Sequence, residues 1–161
     1  MFYVLQIAPH EESRIEQILR ESMPSSLCKQ CFHPMRRRTR KIRGEWIETS
    51  EKLLPGYVFV ETDNPEMFYK RLRTIPRLTK MLGKLYNEEI ATWEFTGLSA
   101  DEVRWLADIM SCGEDGQVSL SCVKKDTTGN IRIISGPRIA MVELSFGQRQ
   151  SLLYFGIEIV D

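Results

Sequence analysis

The 161-residue sequence predicts an α+β chain that ends in a small all-β module, and three observations carry that reading. Strand-like and helix-like segments alternate over the first 112 residues, a linker-like "CGEDGQ" follows, and beyond it only strand-like alternation remains. The expected domains are residues 1–112, a linker at 113–117 and a small β-barrel over 118–161.

Each element has a local reason. Phe2 to Ala8 reads as a strand, and "PHEESRIEQILRES" as a helix with Ile15, Ile18 and Leu19 on one face and acids in its first turn. From Leu27 to Trp46 the chain is expected to be extended, with Arg43-Gly44 as a hairpin turn. Leu54 to Glu61 predicts a strand with Tyr57 and Phe59 on one face and Val58 and Val60 on the other, so both faces are apolar. Such a strand is either wholly buried or carries a surface meant for a partner. "DNPEMFYKRLRTIP" gives a helix with Asn64 as N-cap, Pro65 at the first position, Phe68, Leu72 and Ile75 in register, and Pro76 as the stop. After a short extended piece through Met81 and Leu82, "SADEVRWLADIM" opens with the capping box Ser99 and Glu102 and repeats apolar residues at Val103, Leu106, Ala107 and Met110. Strands are expected at Ile131–Ile134, along Val142, Leu144 and Phe146, and along Leu153, Phe155, Ile157 and Ile159.

Composition narrows the class. With 42% hydrophobic and 27% charged residues the chain can build a core, which excludes wholesale disorder. No segment approaches the roughly 20 apolar residues of a membrane span, and "MFYVLQIAP" lacks a basic start and a cleavage site, so the expected location is the cytoplasm with no membrane partner. Cys28, Cys31, Cys112 and Cys122 are expected to be thiols, and oxidation is not predicted. "CKQC" with nearby His33 raises a zinc reading, but Cys112 and Cys122 have nine residues between them rather than forming a second close pair. Small apolar side chains on strands are the preferred reading, with no metal and no cofactor.

Formal net charge is zero, yet the signs are segregated. Thirteen basic and six acidic residues lie between Arg36 and Lys84, so that stretch carries about +7 and the rest about −7. Arg36, Arg37, Arg38, Arg40, Lys41 and Arg43 fall within eight positions, with Trp46 and Phe32 nearby. Arginine makes bidentate phosphate contacts and aromatic rings stack on unpaired bases, so Arg36, Arg37, Arg38, Arg40, Lys41, Arg43 and Trp46 are the candidate nucleic-acid-binding residues. A solvated sheet edge is the alternative. A second cationic group comprises Lys70, Arg71, Arg73, Arg77, Lys80 and Lys84.

In order, "FYVLQIAPHEE", "CFHPMRRRTRKIRGEW", "KLLPGYVFVETD", "RTIPRLTKMLG" and "IRIISGP" resemble the NusG family of transcription elongation and antitermination factors, with the basic hairpin closer to specialised paralogs of the LoaP or RfaH kind. The resemblance implies an N-terminal domain with an antiparallel sheet flanked by helices, followed by a KOW-like barrel. It also implies docking on the clamp helices of RNA polymerase through Phe2, Tyr3, Leu54, Tyr57 and Phe59. Tyr69, Lys70 and Arg71 are implied to approach the opposite jaw. After "ISGP" the family continues through a glycine-containing loop and a basic strand, whereas here Arg138 runs straight into "IAMVELSFG". That leaves open a natural deletion or missing residues after Pro137, and an incomplete barrel.

The expected function is promotion of processive antitermination or anti-pausing by a monomer. Its expected partners are RNA polymerase, an RNA leader hairpin or DNA of the elongation complex, and Rho or a ribosomal protein through the KOW module. The alternative is a polymerase-independent RNA-binding protein that recognises a leader hairpin or acts in translation. An enzyme is not expected, because His10 and His33 are the only histidines and no glycine-rich phosphate loop or nucleophile-base constellation is present.

Overall fold

The computed structural model describes the backbone of residues 1–76, 79–111, 117–118, 131–134, 139–146 and 149–156, and the side chains of 1–35, 42–76, 79–104 and 106–107. In chain order the elements are β1 (Phe2–Ile7), α1 (Glu12–Ser22), β2 (Gln30–Phe32), β3 (Met35–Ile42), β4 (Glu45–Lys52) and β5 (Tyr57–Glu61). They continue with α2 (Pro65–Leu72), β6 (Thr79–Met81), β7 (Lys84–Asn87), β8 (Thr92–Phe95), α3 (Ala100–Ser111) and β9 (Gln117–Val118). The last three are β10 (Ile131–Ile134), β11 (Ile139–Phe146) and β12 (Arg149–Gly156). The chain divides into two compact units, residues 1–33, 55–99 and 145–149 in one and 34–54, 100–144 and 150–161 in the other.

The first unit holds a four-stranded antiparallel sheet in the order β2-β5-β1-β6. Pairing sets Tyr3 opposite Val60 and Leu5 opposite Val58, so strand alternation sends these residues to one face. There they pack with Ile15 and Leu19 of α1 and Phe68 and Leu72 of α2, all nearly inaccessible. Burying apolar side chains of this size contributes about 1.5–3 kcal/mol each, which is what holds both helices to the sheet.

Local signals explain most boundaries. α2 starts where expected, because the Asn64 side-chain oxygen accepts the Met67 N–H at 3.0 Å and Pro65 occupies the first position. α1 begins at Glu12 rather than at Pro9, since His10 takes a left-handed conformation (φ 74) that breaks the first turn. β5 begins only at Tyr57, because Pro55-Gly56 form a turn. Gly56 has φ 84, donates its N–H to the buried Glu12 carboxylate at 2.8 Å, and accepts the Ile7 N–H at 2.9 Å. The β7–β8 hairpin was not expected: "NEEIAT" contains no glycine, and Ala91 takes the left-handed turn position (φ 49) instead.

In the second unit β3 and β4 form an antiparallel hairpin from Met35↔Lys52 to Ile42↔Glu45. Arg43 (φ 52) and Gly44 (φ 89) form its two-residue turn, and two successive positive φ values are the type I′ requirement. β9 runs parallel to β3, with Met35↔Gln117 and Arg36↔Val118 in register. α3 follows Ser99 directly and buries Leu106, whereas Ala107, expected on the apolar face, is exposed.

Later in the chain β10, β11 and β12 lie side by side, with β10 antiparallel to β11 from Ile131↔Val142 to Ile134↔Ile139. The expected linker residues 113–116, the junction after Pro137, and Ile157 and Ile159 lie outside the described residues.

Candidate functional site

The face of the β2-β5-β1 sheet opposite the helices is aromatic. Phe32 stands opposite Phe59 in the strand register and stacks on it with ring centroids 5.6 Å apart and an interplanar angle of 17°. Phe2 meets Phe32 edge to face at 6.2 Å. Phe2, Phe32 and Tyr57 are partly exposed, while Phe59, on the same face, is 1% exposed. Three partly exposed rings thus share a face with one buried ring.

This geometry sorts the expected docking residues. Phe2 and Tyr57 retain accessible surface. Tyr3 points instead into the helix-covered core at 5% exposure, and that burial raises its phenol above the usual value. Leu54 is 1% exposed, so its side chain and those of Tyr3 and Phe59 lie below the surface and act as packing. Phe32 joins the aromatic face although it was expected only as a neighbour of the arginines. Alternation along a single strand cannot reveal it, because its place depends on β2 pairing with β5.

Tyr69, Lys70 and Arg71 lie on α2 but do not act together. Lys70 and Arg71 are exposed, and Lys70 pairs with Glu66 one turn earlier at 2.9 Å. Tyr69 is half-buried under the β7–β8 hairpin, 5.9 Å from Trp93 and 5.7 Å from Phe95, and its hydroxyl accepts from Lys84 Nζ at 2.6 Å. The same ammonium lies 4.3 Å from the Tyr69 ring centroid and 4.7 Å from that of Trp93. Beside it opens a cavity of about 250 Å³ whose lining includes Arg73, Lys80 and Lys84. The second cationic group therefore partly converges in space, although Arg77 lies outside the described residues.

In the second unit, Arg36, Arg37, Arg38, Arg40 and Lys41 lie along β3, interrupted only by Thr39, opposite Glu51, Ser50, Thr49, Ile47 and Trp46 of β4. Their side chains lie outside the described residues. At the hairpin tip Arg43 is exposed, as are Trp46 (70%), Ile42 and Ile47. An isolated hairpin end with this much uncovered apolar and aromatic area can serve as a contact surface.

The "CKQC" motif places Cys31 on β2 in the core and Cys28 half-buried before it, both as free thiols. Among the described residues no group of three or more His, Cys, Asp or Glu side chains is placed to hold a metal ion. His33 Nδ1 is instead 2.6 Å from Glu16 Oε1. No helix among the described residues is long and apolar enough to cross a membrane.

The first unit is thus an antiparallel sheet with two helices on one face and an aromatic patch on the other. Residues 1–104 match the family model NusG, described as transcription termination factor nusG, and the chain belongs to that family. NusG-family proteins are transcription factors, not enzymes, and in general bind RNA polymerase. No curated protein matches the chain.

Proposed function

We propose that this chain rides RNA polymerase during elongation and promotes anti-pausing or processive antitermination, in the manner of a specialised NusG paralog. The observation that carries the reading is the partly exposed aromatic rim of Phe2, Phe32 and Tyr57, which shares its face with the buried Phe59. Rigid rings present apolar area at low conformational cost, which suits capture of a helical surface such as the polymerase clamp helices. Tyr3 and Phe59 pack within the same sheet and hold that surface in shape. Lys70 and Arg71 face the opposite jaw, with Tyr69 anchoring their helix. A factor that engages both sides of the cleft binds the closed, elongating form more tightly and shifts the population away from paused states.

The β3–β4 hairpin contacts nucleic acid of the elongation complex, DNA or an RNA leader hairpin, through Arg36, Arg37, Arg38, Arg40, Lys41, Arg43 and Trp46. Residues 118–161 form the KOW-like module after a boundary at 113–117, and that module reaches Rho or a ribosomal protein. The chain acts as a cytoplasmic monomer. The exposure of Trp46 favours one further reading, RNA binding independent of polymerase.

Co-purification separates the two. Phe2→Ala with Tyr57→Ala is expected to abolish capture of RNA polymerase while leaving nucleic-acid affinity intact. Unchanged polymerase capture, combined with loss of activity in an Arg37/Arg40 double substitution, selects the polymerase-independent reading.

A further inference from the structure

Cys28 and Cys31 have a more particular arrangement than burial requires. The Pro24 carbonyl accepts the Leu27 and Cys28 N–H groups at 2.9 and 3.0 Å, and the Lys29 N–H then bonds to the Glu61 carbonyl at 2.9 Å. The segment between the cysteines is thereby pinned to β5 at its start and continues into β2 at its end. Cys31 Sγ lies 3.7 Å from the Glu16 carbonyl under α1, and Cys28 Sγ lies 3.6 Å from the Gln30 carbonyl. A disulfide between them requires Cβ atoms about 3.5–4.5 Å apart, a separation that two cysteines three positions apart can reach.

Both thiols line one open cavity of about 340 Å³, along with Leu19, Met23, Arg20 and Lys29. Its floor is sulfur and hydrocarbon, and its two cations are already paired, Arg20 with Glu16 at 3.4 Å and Lys29 with Asp63 at 2.6 Å. Arg20 also donates to the Cys31 carbonyl at 3.4 Å. A metal cage would need further anionic or imidazole ligands, and none converges here among the described residues.

We propose that Cys28 and Cys31 form a reversible dithiol–disulfide pair, oxidised through this cavity by a low-molecular-weight disulfide. Cys28, the more exposed sulfur, loses its proton to solvent and attacks one sulfur of the small disulfide, RSSR. A mixed disulfide forms, and the first RS⁻ leaves and takes up a proton. Cys31 then attacks the Cys28 sulfur as a thiolate, forming the intramolecular bond and expelling the second RS⁻. The protein dithiol is oxidised by two electrons and one RSSR is reduced to two RSH.

The division of labour follows access rather than acidity, since Cys28 is half-buried and Cys31 buried. The Cys31 thiol is lowered by the hydrogen bond from Cys28 and by the Arg20 charge, which outweigh its burial, whereas Cys28 is raised by the same contact with Cys31 and by burial. The first attack therefore accelerates as pH rises. Oxidation staples the segment next to Phe32, so it would alter the docking rim; that consequence alone rests on the proposed function.

The test uses the full chain carrying Cys112→Ser and Cys122→Ser, equilibrated in glutathione buffers of graded redox poise, then alkylated and weighed intact. Paired loss of both thiols, a chain lighter by two hydrogens and recovery with dithiothreitol are expected. Cys31→Ser should trap a glutathione adduct on Cys28, and Arg20→Gln should slow adduct formation several-fold. Differential alkylation and peptide mapping of the unsubstituted chain give the same readout if the serine background folds poorly. Thiols that stay reduced in the folded chain under buffers that oxidise it in urea, or independent single adducts on both cysteines, overturn the proposal.

Discussion

Tyr57 and Phe59 lie two positions apart on β5, on the same face, yet their exposures assign them different work. Phe59 is 1% exposed and stacked against Phe32, so Phe59→Ala should destabilise the fold by about 3–5 kcal/mol, read as a lower denaturation midpoint. Tyr57 is partly exposed, and Tyr57→Ala should cost less than about 1 kcal/mol of stability while weakening polymerase capture at least tenfold. The capping oxygen of Asn64 offers a third single-residue test. Asn64→Ala removes the acceptor of the Met67 N–H and should lower stability by about 1 kcal/mol without touching either candidate surface.

Elements differ in how much of them could be read locally. The start of α2 was legible because its cap and its first-position proline are neighbours in sequence and act on backbone groups nearby, whereas the helix ends at Leu72, before Ile75 and the expected stop at Pro76. The Arg43-Gly44 turn was legible for the same reason. The β7–β8 hairpin was not, since its turn is closed by Ala91 at positive φ rather than by glycine. Phe32 escaped as a site residue because the β2–β5 register is a property of pairing, not of either strand alone. Two glycines test the turns directly. Gly44 has φ 89 with nothing near its missing Cβ, so Gly44→Ala should cost only the backbone strain, about 1–2 kcal/mol. At Gly83 (φ 76) a Cβ would also overlap the Thr96 carbonyl oxygen, whose residue bonds back through its N–H to the Gly83 carbonyl at 2.8 Å. Gly83→Ala should therefore destabilise markedly more than Gly44→Ala in parallel urea titrations. For the β3–β4 hairpin, affinity for RNA or single-stranded DNA should fall steeply with added salt, and the Arg37/Arg40 double substitution should flatten that slope by about two counterions.

For the molecule as a whole, neutrality conceals a division of labour. A stretch of about +7 between Arg36 and Lys84 is balanced by about −7 elsewhere, which favours approach to nucleic acid without making the entire surface sticky. The central claim joins this charge pattern to the aromatic face: polymerase is held at Phe2, Phe32 and Tyr57 while the hairpin meets the nucleic acid. The most direct measurement is elongation by purified RNA polymerase through a pause or terminator, with the chain, without it, and with the Phe2→Ala/Tyr57→Ala variant. The account predicts increased read-through with the chain and none above background with the folded variant. Equal read-through by chain and variant, or no effect of the chain on any leader tested, would contradict it.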